Sequence, residues 1–117
     1  MINFNSKIYV AGHTGLVGSA IVRKLKKKGY KKIIFSDRKK LDLTNQPKVY
    51  KYLNKNKPKF VFIAAAKVGG IHSNNQNKAD YISQNLIIQN NLIYGCFLAG
   101  IKNLIFLGSS CIYPKKK

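Results

Sequence analysis

Three stretches of this 117-residue chain carry residue types whose order could do chemistry. The first is Gly12-His13-Thr14-Gly15-Leu16-Val17-Gly18, with a glycine at every third position. Between a strand and a helix, such a turn suits a dinucleotide pyrophosphate. Gly12 allows the tight turn, Gly15 lets phosphates approach the backbone, and Gly18 lets the helix pack on the strand. Free N–H groups and the dipole at the helix start then hold the anion. The spacing is G-x-x-G-x-x-G, not the commoner G-x-G-x-x-G. A plain glycine-rich turn is the bland alternative.

The second stretch is Ser36-Asp37-Arg38-Lys39-Lys40. Asp37 lies 19 residues after Gly18, about where an acid would accept the ribose 2′-hydroxyl of NAD. Arg38, Lys39 and Lys40 would instead attract the 2′-phosphate of NADP. These two signals conflict. The third stretch is Gly108-Ser109-Ser110-Cys111. At the carboxyl end of a parallel strand, a hydroxyl can hydrogen-bond a substrate carbonyl and a thiol can exchange protons with a carbon acid. Taken alone, the same residues also make an ordinary turn. Cys96 lies among apolar residues of a helical stretch and reads as core.

The elements that must position these residues alternate along the chain. Lys7–Ala11 reads as a short buried strand. Val17, Ala20, Ile21 and Leu25 recur at helical spacing, and Gly29 stops that helix after a Lys-rich turn. Ile33-Ile34-Phe35 is a second strand and Leu41-Asp42-Leu43 a short apolar return. Thr44 can cap the next helix, with Pro47 in its first turn and Val49, Tyr50 and Leu53 on its apolar face. Phe60-Val61-Phe62-Ile63-Ala64 is apolar at every position, as a strand buried on both faces requires. A small-residue loop spans 65–75. A helix from about Asp80 to Leu98 carries Ile82, Leu86, Gln89, Ile93 and Phe97 on one stripe. Leu104–Leu107 is the fourth main strand.

Strands that alternate with helices predict an α/β fold. The expected form is a doubly wound parallel sheet of the Rossmann type with right-handed crossovers and helices on both faces. The chain stops soon after its fourth strand. It therefore reads as one dinucleotide-binding domain, 1–117, truncated at its C-terminal side.

Composition narrows the function classes. Twenty-two Lys and Arg stand against 3 acids, a net charge of +19, which first suggests a nucleic-acid-binding module. Twenty of the cations are Lys, spread over nearly every element, whereas base readout and phosphate forks favour Arg. With the abundance of Asn and Ile, this points to a compositional drift of the whole sequence, and no nucleic-acid partner is expected. No apolar run approaches a membrane span of about 20 residues, and no secretory leader pattern opens the chain. Two cysteines make no disulfide scaffold, and no Cys/His spacing reads as a metal site. A reducing cytoplasm is the default compartment.

Three motifs together carry a resemblance: Ala11–Ser19, Ala64-Ala65-Ala66-Lys67-Val68-Gly69-Gly70-Ile71, and Leu107-Gly108-Ser109-Ser110-Cys111-Ile112-Tyr113-Pro114-Lys115. In these the chain resembles the N-terminal part of the GDP-L-fucose synthases, extended short-chain dehydrogenases/reductases. The resemblance implies NADPH as cofactor and a GDP-sugar as substrate, which is epimerised at C3 and C5 and reduced at C4. It implies that residues 12–18 hold the pyrophosphate, Arg38 meets the 2′-phosphate, and Asp42-Leu43 flank the adenine. Ala64, Ala65, Ala66 and Lys67 would line the cofactor, and Leu107, Gly108, Ser109 and Ser110 would pass beside the nicotinamide. Ser109 would hydrogen-bond the C4 oxygen and Cys111 would be the epimerisation base. Thr14 stands where some of these enzymes carry Arg, and Asp42 where some carry Asn.

The family's catalytic Tyr and Lys, four residues apart on a later helix, are expected to lie outside this chain, as is the substrate domain. Tyr113 and Lys117 have that spacing, but Pro114 biases Tyr113 away from helix. The chain alone is therefore expected to be inactive, and the full-length enzyme a homodimer. Another nucleotide-sugar epimerase or dehydratase of the same fold is the rival reading.

Overall fold

Lys7–Ala11 forms β1 at the middle of a four-stranded parallel sheet in this computed structural model, which describes residues 3–37, 39–65 and 78–107. Leu16–Lys28 follows as α1, Lys32–Ile34 as β2, Gln46–Asn56 as α2, Phe60–Ile63 as β3, Lys78–Leu98 as α3 and Leu104–Phe106 as β4. The strand order is β2-β1-β3-β4. The chain thus winds outward from β1 to β2, then crosses back to lay β3 on the other side of β1. That reversal makes a doubly wound α/β sheet, and its crevice opens between the carboxyl ends of β1 and β3.

Register brings those ends level. Ala11 pairs with Ile63, and Ile63 with Phe106. The ladder continues one step past the strands: the Ala64 N–H donates to the Ala11 carbonyl at 2.9 Å, and the Leu107 N–H to the Ile63 carbonyl at 3.0 Å. Gly12, Ala64 and Leu107 therefore leave the sheet along one edge.

Alternation along β1 divides the core. Tyr9 and Ala11 face α2 and α3, packed with Val49, Leu53, Val61, Ile63, Leu92 and Cys96. Ile8 and Val10 face α1 and pack on Leu25, with Ile21 and Val22 against them. Burying each such aliphatic side chain contributes about 1.5–3 kcal/mol. On β3 only Val61 and Ile63 are fully buried. Phe60 and Phe62 are half-buried on the α1 side, packed against the cluster of Ile8, Val10 and Leu25. The two-faced burial expected of β3 is realised on one face among the described residues.

Two local expectations are corrected. Asn45, not Thr44, caps α2: its side-chain oxygen accepts the Lys48 N–H at 3.2 Å, and the Thr44 hydroxyl donates to Asp42 Oδ1 at 2.7 Å instead. On α3 the stripe Ile82, Leu86, Ile93 and Phe97 is exposed, Phe97 at 71%, while Ile88, Asn91, Leu92 and Cys96 face the core. The helix is apolar almost all round, so contact with α2 selects the buried side. Gly95 allows that contact, since a Cβ there would lie 2.8 Å from Leu53 Cδ1.

Candidate functional site

The turn after β1 is shaped by what surrounds its glycines. Gly12 has φ +90°, a conformation L side chains rarely adopt, and a Cβ there would sit 2.6 Å from the Ala65 nitrogen. A Cβ on Gly18 would run into the Gly12 carbonyl oxygen. These two contacts clamp the start of α1 onto the end of β3. Gly15 differs: it caps α1 in an extended conformation, and the nearest atom to a Cβ there is the Gly12 oxygen at 3.6 Å. No side chain caps α1, and no acid occupies its first turn. Its leading N–H groups have no intrahelical acceptor, so the helix presents donors and a positive dipole end beside an open backbone.

A cavity of about 370 Å³ lies at this edge. Gly12, His13, Thr14 and Gly15 of the turn line it, together with Ala64 and Ala65 after β3 and with Asp42 and Leu43. Eight residues anticipated from the sequence thus meet around one space. Leu16, Val17 and Gly18 do not line it: the first two are exposed at the helix start and Gly18 is buried beneath the turn. Leu107 reaches the same sheet edge without lining the cavity. Arg38, Ala66, Lys67, Gly108, Ser109, Ser110 and Cys111 lie outside the described residues.

Ser36, Leu41, Thr44, Gln84 and Ile88 complete the lining and were not anticipated as site residues. Gln84 and Ile88 are one helical turn apart on α3, a spacing that shows a shared face but not what that face meets. The wall around Asp42 is built by local hydrogen bonds. Asp42 Oδ1 accepts from the Thr44 N–H at 2.9 Å as well as from its hydroxyl. The Lys40 and Leu41 N–H groups donate to the Asp37 carbonyl at 2.9 and 2.8 Å. Asn91, only 2% exposed, ties this wall to α3 by donating to the Leu43 carbonyl at 2.9 Å. Its polar side chain in an apolar helix was the available signal, hidden by the many asparagines of the chain.

Beyond the turn, the His13 ring stacks on Phe35 with centroids 4.2 Å apart and planes at 19°. Its Nε2 lies 3.8 Å from Asp37 Oδ1, within ion-pair range. Asp37 lines a second cavity of about 470 Å³ together with Lys40, Lys48, Lys51 and Lys55. Tyr9 reaches the same region from below, its hydroxyl 3.4 Å from Ser36 Oγ, and burial raises its pKa well above the ordinary phenol value. Cys96 is a fully buried free thiol whose pKa burial pushes up to about 11. It stays protonated at neutral pH, in keeping with a core role.

Residues 8–117 match the family described as the NAD dependent epimerase/dehydratase family. This chain belongs to that family. Among curated members, it is 53% identical over 115 residues to GDP-L-fucose synthase 1 of Arabidopsis thaliana, a match that covers 98% of this chain and 36% of that protein. It is 56% identical over 109 residues to the GDP-L-fucose synthase of Sinorhizobium fredii, covering 93% and 34%. Among solved structures, a GDP-mannoheptose C4 reductase from Campylobacter jejuni with NADP bound superposes with a TM-score of 0.90 at 43% identity, over 97% of this chain and 36% of that one. The chain spans about a third of the length of these proteins.

Proposed function

We propose that residues 1–117 form the cofactor-binding part of an NADPH-dependent GDP-L-fucose synthase. The whole enzyme epimerises GDP-4-keto-6-deoxy-D-mannose at C3 and C5 and reduces it at C4. The similarity that runs through 98% of the chain to a GDP-L-fucose synthase carries this reading. The site fits a dinucleotide on its own chemistry: an uncapped helix start, an open backbone at Gly15, and a cavity at the switch point of the sheet. NADPH supplies a hydride for the C4 carbonyl. The N–H groups at the start of α1 bind the pyrophosphate, Asp42 and Leu43 flank the adenine, and Arg38 meets the 2′-phosphate. Ala64 to Lys67 and Leu107 to Ser110 line the rest of the cofactor.

Chemistry at the sugar falls to the segment after β4. Leu107 leaves the sheet at the same edge as Gly12, and Ser109 and Cys111 follow within four residues. Ser109 donates a hydrogen bond to the C4 oxygen, which also acidifies the neighbouring C3 and C5 protons. The Cys111 thiolate removes such a proton, and an acid in the remainder of the enzyme delivers a solvent-derived proton to the opposite face. A thiol suits this role because its ordinary pKa, near 8.5, can be tuned to neutrality. The Tyr and Lys needed for reduction belong to the remainder of the enzyme. In this reading the enzyme is cytoplasmic, in keeping with the free Cys96 thiol, and homodimeric. The exposed stripe Ile82, Leu86, Ile93 and Phe97 on α3 is apolar surface that assembly would cover.

The test is to incubate the full-length protein with the keto-sugar and NADPH in deuterium oxide. GDP-L-fucose labelled at C3 and C5 is expected. A product reduced at C4 with unlabelled C3 and C5 would make the enzyme a GDP-sugar C4 reductase instead, and Cys111 would lose its role.

A further inference from the structure

Asp37, beside its basic neighbours, approaches a residue from another element, His13. We propose that His13 sets the preference for NADPH by occupying the Asp37 carboxylate, so that it does not compete for the ribose 2′ position. The inference rests on the reading of the turn as a dinucleotide site. An acid at the end of the second strand ordinarily accepts the 2′-hydroxyl of NAD and repels the 2′-phosphate of NADP. Here Asp37 is in that sequence position but does not line the cavity of the turn, whereas its neighbour Ser36 does. Its Oδ1 is 3.8 Å from His13 Nε2. The imidazole is held in place, 16% exposed and stacked on Phe35, and presents its nitrogen to the Asp37 side chain, which is 63% exposed. On its other side Asp37 faces Lys40, Lys48, Lys51 and Lys55 across the second cavity. With the carboxylate turned to His13, the four lysines outnumber it and the local field favours a phosphate dianion. Removal of the Nε2 contact frees the carboxylate to turn toward the ribose.

Equilibrium binding of NADPH and NADH to the full-length protein, read by cofactor fluorescence, tests this. His13→Phe keeps a ring on Phe35 and removes the nitrogen. It is expected to lower the NADPH:NADH affinity ratio by up to about fivefold, the upper worth of a solvent-exposed ion pair. His13→Gln retains an N–H donor and should keep most of the ratio. Asp37→Ala alone should move the ratio less than about threefold, and the His13→Phe/Asp37→Ala double variant should recover it. The proposal is overturned if His13→Phe leaves the ratio unchanged, if Phe and Gln behave alike, or if the double variant stays low. A large rise in the ratio for Asp37→Ala alone would equally overturn it, by making Asp37 a ribose ligand in the wild type. Failure of the wild type to bind either dinucleotide would sink the cofactor-site reading itself, an outcome distinct from these.

Discussion

Asn91, buried at the middle of α3, donates its side-chain N–H to the Leu43 carbonyl at 2.9 Å. The contact spans 48 residues and joins α3 to the loop that carries Asp42 and Leu43. Asn91→Leu keeps the volume but leaves the Leu43 carbonyl without this donor. The expected cost is about 1–3 kcal/mol of stability, seen as a lower urea midpoint. NADPH affinity should fall as well, because the Asp42-Leu43 wall loses its tether. A variant that is destabilised yet binds NADPH normally would separate the wall from the cofactor site.

The glycines of the turn should fail in different ways. A Cβ on Gly18 collides with the Gly12 carbonyl, so Gly18→Ala must shift α1 away from the strand, at about 1–3 kcal/mol. At Gly15 φ is −75° and the nearest atom to a Cβ is 3.6 Å away. Gly15→Ala should therefore fold with near wild-type stability and lose affinity for NADPH, since the methyl group occupies the approach to the helix start. Calorimetric melting and cofactor titration on the same preparations read both effects.

Stability should fall at alkaline pH through Cys96. Its folded pKa, about 11, exceeds the ordinary thiol value because of burial. The folded state then holds a proton that the unfolded state has released, so stability declines as pH rises from about 9 toward 11. The maximum slope from one such group is about 1.4 kcal/mol per pH unit. Tyr9, raised in the same direction by burial, adds to the decline above pH 10. Cys96→Ala should start less stable, because it leaves a cavity, but show a flatter stability profile between pH 8 and 10. Parallel profiles for the two proteins would remove Cys96 as a source.

In the full-length enzyme, Cys111→Ser should slow solvent-deuterium exchange at C3 and C5 by at least about a hundredfold, the worth of a positioned general base. Ser109→Ala should slow exchange less, since loss of one hydrogen bond to the C4 oxygen leaves the base in place. Exchange at the wild-type rate in Cys111→Ser would exclude that thiol as the base.

Much of this arrangement was legible along the chain, for a local reason. The apolar run Lys7–Ala11, the three glycines after it and the helical recurrence of Ile21 and Leu25 each lie within a few residues of one another. Backbone sterics and short periodicities dictate such segments with little help from the rest of the molecule. Parallel pairing followed from the alternation of strands and helices. The three motifs of the chain pointed to the family in the same way, because each is a contiguous string.

Tertiary structure decided what depends on pairs far apart in sequence. Nothing local ranks the stripe through Leu92 and Cys96 above the one through Leu86 and Phe97, since both are apolar. The packing of α3 on α2 made the choice, with Gly95 set against Leu53. Asn45 took the cap from Thr44 because Asp42 had already engaged the threonine hydroxyl. The sequence leaves Asp37 and Arg38 as rival contacts for the ribose 2′ position, and the fold places Asp37 3.8 Å from His13 of the turn after β1. In each case several partners were compatible with the residue's chemistry. Only the three-dimensional packing of one element on another selected among them, because burial and electrostatics act over distance in space and not along the chain.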